Sequence, residues 1–113
     1  MLILVLKIIG GIHMSIIKNV LMEEFERLER MEKSYRDKVN KLPKGALIVK
    51  NINNRQYNYL VYRENQKVIQ KYLKLSDKEI EELKKKIEQR RKFEKILREI
   101  KKDYQIIKRA LKQ

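Results

Sequence analysis

The chain has no cysteine, no tryptophan, one histidine, one proline and three glycines among its 113 residues. Lack of cysteine removes disulfides, thiolate metal sites and cysteine nucleophiles together. With His13 as the sole imidazole, neither a serine–histidine pair nor a multi-histidine metal site can be built. Three glycines, Gly10, Gly11 and Gly45, do not make a glycine-rich phosphate loop of either common kind. An enzyme is therefore not expected, nor is a cofactor, a metal or a small-molecule substrate. Long apolar runs are scarce as well. The greasiest stretch, MLILVLKIIGGIH at residues 1–13, is broken by Lys7 and the glycine pair. It is far shorter than the roughly 20 residues of a spanning helix, and it lacks a secretory cleavage site. No transmembrane segment and a cytoplasmic location are the expectation.

Charge is what the chain has in abundance. Lys and Arg number 29 against 15 Asp and Glu, a formal net charge of +14, with 42% hydrophobic residues. Such a chain fits one small or elongated helical domain better than two cores. Residues 14–113 are read as that domain. Residues 1–13 stand apart from it. Gly10-Gly11-Ile12-His13-Met14 can be encoded as a purine-rich ribosome-binding sequence ahead of a start codon, which makes Met14 the expected start and residues 1–13 upstream sequence. The other reading is a short flexible apolar segment, a strand or helix that packs on the rest.

From Ser15 the apolar residues Ile17, Leu21, Phe25, Leu28, Met31, Tyr35, Val39 and Leu42 recur at steps of three and four. That period predicts a helix over residues 15–42, ended by Pro43. A second helix is predicted over residues 76–112. Ser76 and Glu79 make a capping box, acidic residues crowd the start, and Lys108, Arg109 and Lys112 occupy the end, as the helix dipole favours. From Phe93 through Leu97, Ile100, Tyr104, Ile107 and Leu111 the spacing is that of a coiled-coil seam. Between Ile87 and Phe93 the seam skips through Arg90, a stammer that predicts overwinding or a bend near residues 88–92. Neither helix can bury its stripe alone, so an antiparallel coiled-coil hairpin is expected.

Between the helices lie three runs rich in Val, Ile, Tyr and Leu, predicted as strands over residues 46–52, 56–63 and 67–73. The fold class is thus α+β: two long antiparallel helices with an intervening three-stranded antiparallel β-meander. A two-residue turn at Asn53-Asn54 fixes the faces, because side chains alternate along a strand. One face carries Leu47, Val49, Leu60, Tyr62, Ile69 and Leu73, and is expected to rest on the helices. The other carries Lys50, Arg55, Tyr57, Tyr59, Arg63, Gln70 and Tyr72, besides Ile48, Val61 and Val68.

The run LPKGALIVKNINNRQYNYLVYRENQKVIQKYL, followed by a Lys/Glu-rich helix, resembles a family of short prokaryotic and phage proteins. These share a helix, a Leu-Pro-x-Gly step, a meander of the form Y-x-Y-L-x-Y-R and a basic helix. The likeness spans roughly residues 20–113. It implies the same fold and carries no function, since the family has no settled biochemical role. Asn54 and Asn65 stand where that pattern has glycine, so wider turns are expected here.

The charge is unevenly distributed. Residues 14–42 carry seven basic and six acidic side chains, residues 43–75 seven and one, and residues 76–113 fourteen and eight. A polyanion would exploit that asymmetry, because each neutralised phosphate releases counterions. On the second helix Lys84, Arg91, Lys95, Arg98, Lys102 and Arg109 fall near one face. The plainer account is a solvated helix laced by the pairs Glu81–Lys85, Glu82–Lys86, Glu88–Lys92 and Glu94–Arg98. On the sheet, Tyr57, Tyr59 and Tyr72 can stack on bases while Lys50, Arg55 and Arg63 hold phosphates. They can equally serve as cross-strand pairs with hydroxyls at the rim. Glu23, Glu24 and Glu26 are read as solvent charges and cross-helix partners of the basic helix.

Three functional expectations follow. The first is a non-enzymatic DNA- or RNA-binding or regulatory protein of a prokaryote or its mobile elements. The second is a coiled-coil interaction module, such as an antitoxin or phage-encoded inhibitor, whose seam Phe93, Leu97, Ile100 and Tyr104 docks an acidic protein or a second copy of the chain. The third is a prefoldin-like chaperone, which shares the helix–strands–helix layout, although apolar tips would suit that role better than a surplus of cations.

Overall fold

The computed structural model describes residues 14–112, and the two readings of residues 1–13 lie outside that range. It has two helices and a three-stranded antiparallel sheet between them in chain order: α1 (Met14–Asn40), β1 (Ala46–Ile52), β2 (Arg55–Glu64), β3 (Lys67–Leu73) and α2 (Asp77–Lys112). Helix α1 stops short of Leu42. Its last turn tightens, with Lys41 N–H donating to the Lys38 carbonyl at 3.3 Å and Leu42 N–H to that of Val39 at 3.1 Å. Pro43 then has no N–H to continue the ladder. Helix α2 starts on its capping box. Glu79 N–H donates to Ser76 Oγ at 3.3 Å, while the Glu79 carboxylate accepts from Ser76 N–H at 3.5 Å and from Ser76 Oγ at 3.0 Å. The helix then runs unbroken past the stammer to Lys112.

The chain divides into two compact units. One joins the described residues of Met1–Tyr35 to those of Ile96–Gln113. Its core is Ile17, Leu21 and Leu28 from α1 with Ile100 and Ile107 from α2, and Phe25, Met31, Tyr35, Ile96 and Tyr104 pack against it. Phe25 meets Tyr104 edge-to-face at 5.1 Å between centroids. Burial there raises the Tyr104 hydroxyl above its ordinary range, helped by the carboxylates of Glu32 and Glu29. Glu24 pairs with Arg27 one turn along its own helix, which corrects the cross-helix role expected for it. That pair holds the Glu24 carboxyl below the usual range.

The other unit, Arg36–Lys95, contains the meander and the helix ends that adjoin it. Pairing runs from Ala46↔Val61 to Ile52↔Arg55 and from Asn58↔Leu73 to Glu64↔Lys67. Both hairpins close on two residues: Asn53-Asn54 is the two-residue turn on which the face assignment rests, while the wider turns suggested by the missing glycines at Asn54 and Asn65 do not form. Asn53, Asn54, Asn65 and Gln66 all have positive φ, between 50° and 66°. That geometry matches the twist of the flanking strands, and asparagine tolerates it where glycine is absent. The alternation expected for the two faces follows from this register. Burial of the aliphatic face is lighter than expected. No sheet residue is fully buried, and Val49 on the aliphatic face is 56% exposed.

Gly45 enters β1 with φ +118°, and a Cβ there would lie 2.5 Å from the Val61 carbonyl oxygen. Gly45→Ala is expected to cost about 1–3 kcal/mol in urea unfolding, since backbone has to move to admit the methyl group. Gln66→Gly is expected to act oppositely and raise stability by about 0.5–1 kcal/mol, because glycine relieves the left-handed strain at a small unfolded-state cost.

Candidate nucleic-acid interface

Alternation along the strands gathers Lys50, Arg55, Tyr57, Tyr59, Arg63 and Tyr72 on one side of the sheet, as the register requires. Ile48, Tyr59 and Tyr72 form a row across the three strands, with Tyr57 beside it. Tyr72 is the central ring. It stands 5.9 Å from Tyr57 at 64°, edge to face, and 5.6 Å from Tyr59 at a tilt of 46°. Tyr72 remains 50% exposed, and Ile52 and Val68 on the same side are 46% and 58% exposed.

Lys50 crosses the sheet from β1 toward β3. Its Nζ lies 4.6 Å from the Tyr59 centroid and donates to Gln70 Oε1 at 2.6 Å. This bridge passes over β2 beside Tyr59, which is half-buried. Arg55 and Arg63 mark the two ends of β2, and both are exposed. Among the described residues neither makes an ion pair or a side-chain hydrogen bond. Glu64, the one acid of residues 43–75, points to the opposite face, where it is paired in register with Lys67. On that face Lys44 Nζ sits 5.8 Å from the Tyr62 centroid.

The cations of α2 fall into two groups. In the sheet-bearing unit Lys84, Arg91 and Lys95 are exposed, but Arg91 has a partner: its Nη2 donates to the Gly45 carbonyl at 3.2 Å. Arg90 Nη1 donates to the Leu42 carbonyl at 2.5 Å. Two successive arginines thus hold the carbonyls on either side of Pro43-Lys44. Sequence reasoning marked Arg90 only as the skipped seam position and gave it no role; the structure shows its guanidinium bonded to the loop. In the helical unit Arg98, Lys102 and Arg109 are exposed.

The ion pairs expected along α2 are not made. Among the described residues Glu81–Lys85, Glu82–Lys86, Glu88–Lys92 and Glu94–Arg98 stay beyond pairing distance, and Glu94 turns to Arg90 Nε at 3.7 Å instead. Exposed lysine and glutamate gain too little from pairing to offset the lost side-chain entropy. The seam residues are engaged inside the chain. Ile100 is in the helical core, Tyr104 packs on Phe25, Leu97 is half-buried, and Lys38 Nζ lies 5.6 Å from the Phe93 centroid. Among the described residues no three His, Cys, Asp or Glu side chains group as metal ligands, and no helix is long and apolar enough to cross a membrane.

The two classes of arginine separate in a thermal melt. Arg90→Ala is expected to lose about 1–2 kcal/mol, because it strips a half-buried carbonyl of its charged donor. Arg55→Ala combined with Arg63→Ala is expected to stay within about 0.5 kcal/mol of the parent, as exposed side chains without partners do.

Neither a curated protein nor a solved structure matches the chain. A family profile described as Domain of unknown function (DUF6788) matches residues 15–85. That stretch takes in nearly all of α1, the whole meander and the first turns of α2, and on the strength of it the chain belongs to the DUF6788 family.

Proposed function

We propose that this protein is a non-enzymatic nucleic-acid-binding protein that docks on its ligand through the tyrosine-bearing face of the sheet. The observation that carries the reading is the composition of that face. Three half-covered or exposed rings lie among Lys50, Arg55 and Arg63, and no carboxylate shares the surface. Guanidinium and ammonium groups without acidic partners neutralise phosphates at little cost, and the released counterions supply the driving force. Aromatic rings add contacts to sugars or bases that do not depend on sequence. Lys84 and Lys95, exposed in the sheet-bearing unit, add to its positive charge, while Arg98 and Lys102 of the other unit add to the net charge of the chain. Arg91 contributes less, since its guanidinium is occupied at Gly45.

The alternative reading is that the helices form a coiled-coil hairpin whose seam captures an acidic protein. The three-four spacing of Leu97, Ile100 and Tyr104 supports the hairpin. Capture is less favoured, because Ile100 and Tyr104 already fill the chain's own core.

A fluorescence-anisotropy titration with labelled DNA and RNA at about 50 mM salt tests the proposal. Binding is expected to weaken steeply as salt rises. Arg55→Ala with Arg63→Ala is expected to lower affinity roughly tenfold and to flatten the log–log salt slope by about 1.5, with helicity unchanged. Failure to retain any DNA or RNA at that salt overturns the reading.

A further inference from the structure

We infer that the occupant of the tyrosine face is single-stranded nucleic acid, with bases resting on the rings and phosphates on the flanking cations. The inference rests on the nucleic-acid reading above and narrows it by the layout of this one surface.

A duplex offers a flat protein face two phosphate ridges, with base edges recessed between them. Filling such a groove takes long donors at the centre of the surface, chiefly Arg, Lys, Asn and Gln aimed at base edges. Here the central row is apolar and aromatic, Ile48, Tyr59 and Tyr72, bordered by the pairs Lys50–Tyr57 and Val61–Gln70. The two long polar side chains nearest the centre are bonded to each other, and the arginines stand at the two ends of β2. By strand rise Arg55 and Arg63 are roughly 26 Å apart. An unpaired strand presents the complementary pattern: apolar base faces along its middle and phosphates along its margin. Separations of that order suit the several-nucleotide sites of small sheet-based binders.

The ring geometry points the same way. Tyr72 packs against both other tyrosines and still leaves half its surface to water, so it is the first platform for a base. Exposed Val68 and Ile52 extend that apolar surface toward the arginine at either end, since Val68 pairs with Arg63 and Ile52 with Arg55. The Lys50–Gln70 bridge lies over Tyr59 and is exposed. An incoming base displaces it from the ring, and Lys50 is then left beside the flanking phosphate.

Labelled oligothymidylate and oligouridylate, and a blunt duplex with the same number of phosphates, are titrated in parallel against the full chain. At least tenfold tighter binding of either single strand over the duplex is expected. Equal or tighter duplex binding overturns this inference and leaves the broader reading standing, whereas retention of none of the three overturns both. Tyr72→Ala is expected to weaken single-strand binding about tenfold with the salt slope unchanged, and Tyr72→Phe to restore it. Far-UV circular dichroism checks that both variants fold. Unaltered affinity in a folded Tyr72→Ala protein sinks the proposal.

Discussion

Each hairpin of the sheet closes on two residues of positive φ, and at that loop length the strands have no freedom to slip. A slip of one residue would turn every side chain of a strand to the other face. In this chain that would scatter Tyr57 and Tyr59 away from Tyr72, and Lys50 away from Gln70. The left-handed pairs Asn53-Asn54 and Asn65-Gln66 therefore decide the chemistry of a surface that they do not themselves line. Asparagine fills three of the four positions because its short amide side chain stabilises the left-handed region locally. Gln66 lacks that advantage and is held there by the register on both sides.

A second constraint acts at the start of the sheet. The step from α1 to β1 must turn sharply after Pro43, and Gly45 passes so close to β2 that no side chain fits. Loop carbonyls in such a turn are left without backbone partners. Arg90 and Arg91, consecutive on α2, supply donors to Leu42 and Gly45 from across the unit. The surplus of positive charge thus serves two purposes. Part of it ties helix to loop, and part of it stands without counter-charge on the sheet.

Much of the fold was legible in the sequence, for reasons that are local. The helical period from Ile17 to Val39, the Ser76–Glu79 box and the alternation in Gln56–Leu60 are each set by neighbouring residues. The register of the first hairpin was legible because a two-residue turn at Asn53-Asn54 leaves a single consistent pairing, whereas the second turn was expected to be wider than it is. Features that depend on distant partners were not. Nothing near Arg90 in the sequence indicates that it meets a carbonyl 48 residues away. Spacing alone also credited α2 with glutamate–lysine pairs, which solvent and side-chain entropy leave open. Of the candidate site, the membership of the tyrosine face was readable, while the central place of Tyr72 and the Lys50–Gln70 bridge needed coordinates. Both depend on three strands meeting at once.

A small sheet has to cover its faces, and tyrosine is an economical cover, so the rings by themselves argue for no ligand. Edge-to-face packing at 5.9 Å and a tilted contact at 5.6 Å account for them as packing. The cations are harder to explain that way. Cross-strand lysine–glutamate or arginine–glutamate neighbours would each stabilise the sheet by roughly 0.2–1 kcal/mol. The tyrosine face forgoes them all, whereas the opposite face sets Glu64 against Lys67. Like charges gathered without acids make the folded state repel itself, and folding gains nothing in exchange. Sequences break a local stabilising rule chiefly where some other demand is met. On this surface the unmet charge is positive and lies beside exposed rings, and that pairing is the ground on which a nucleic acid is proposed as its partner.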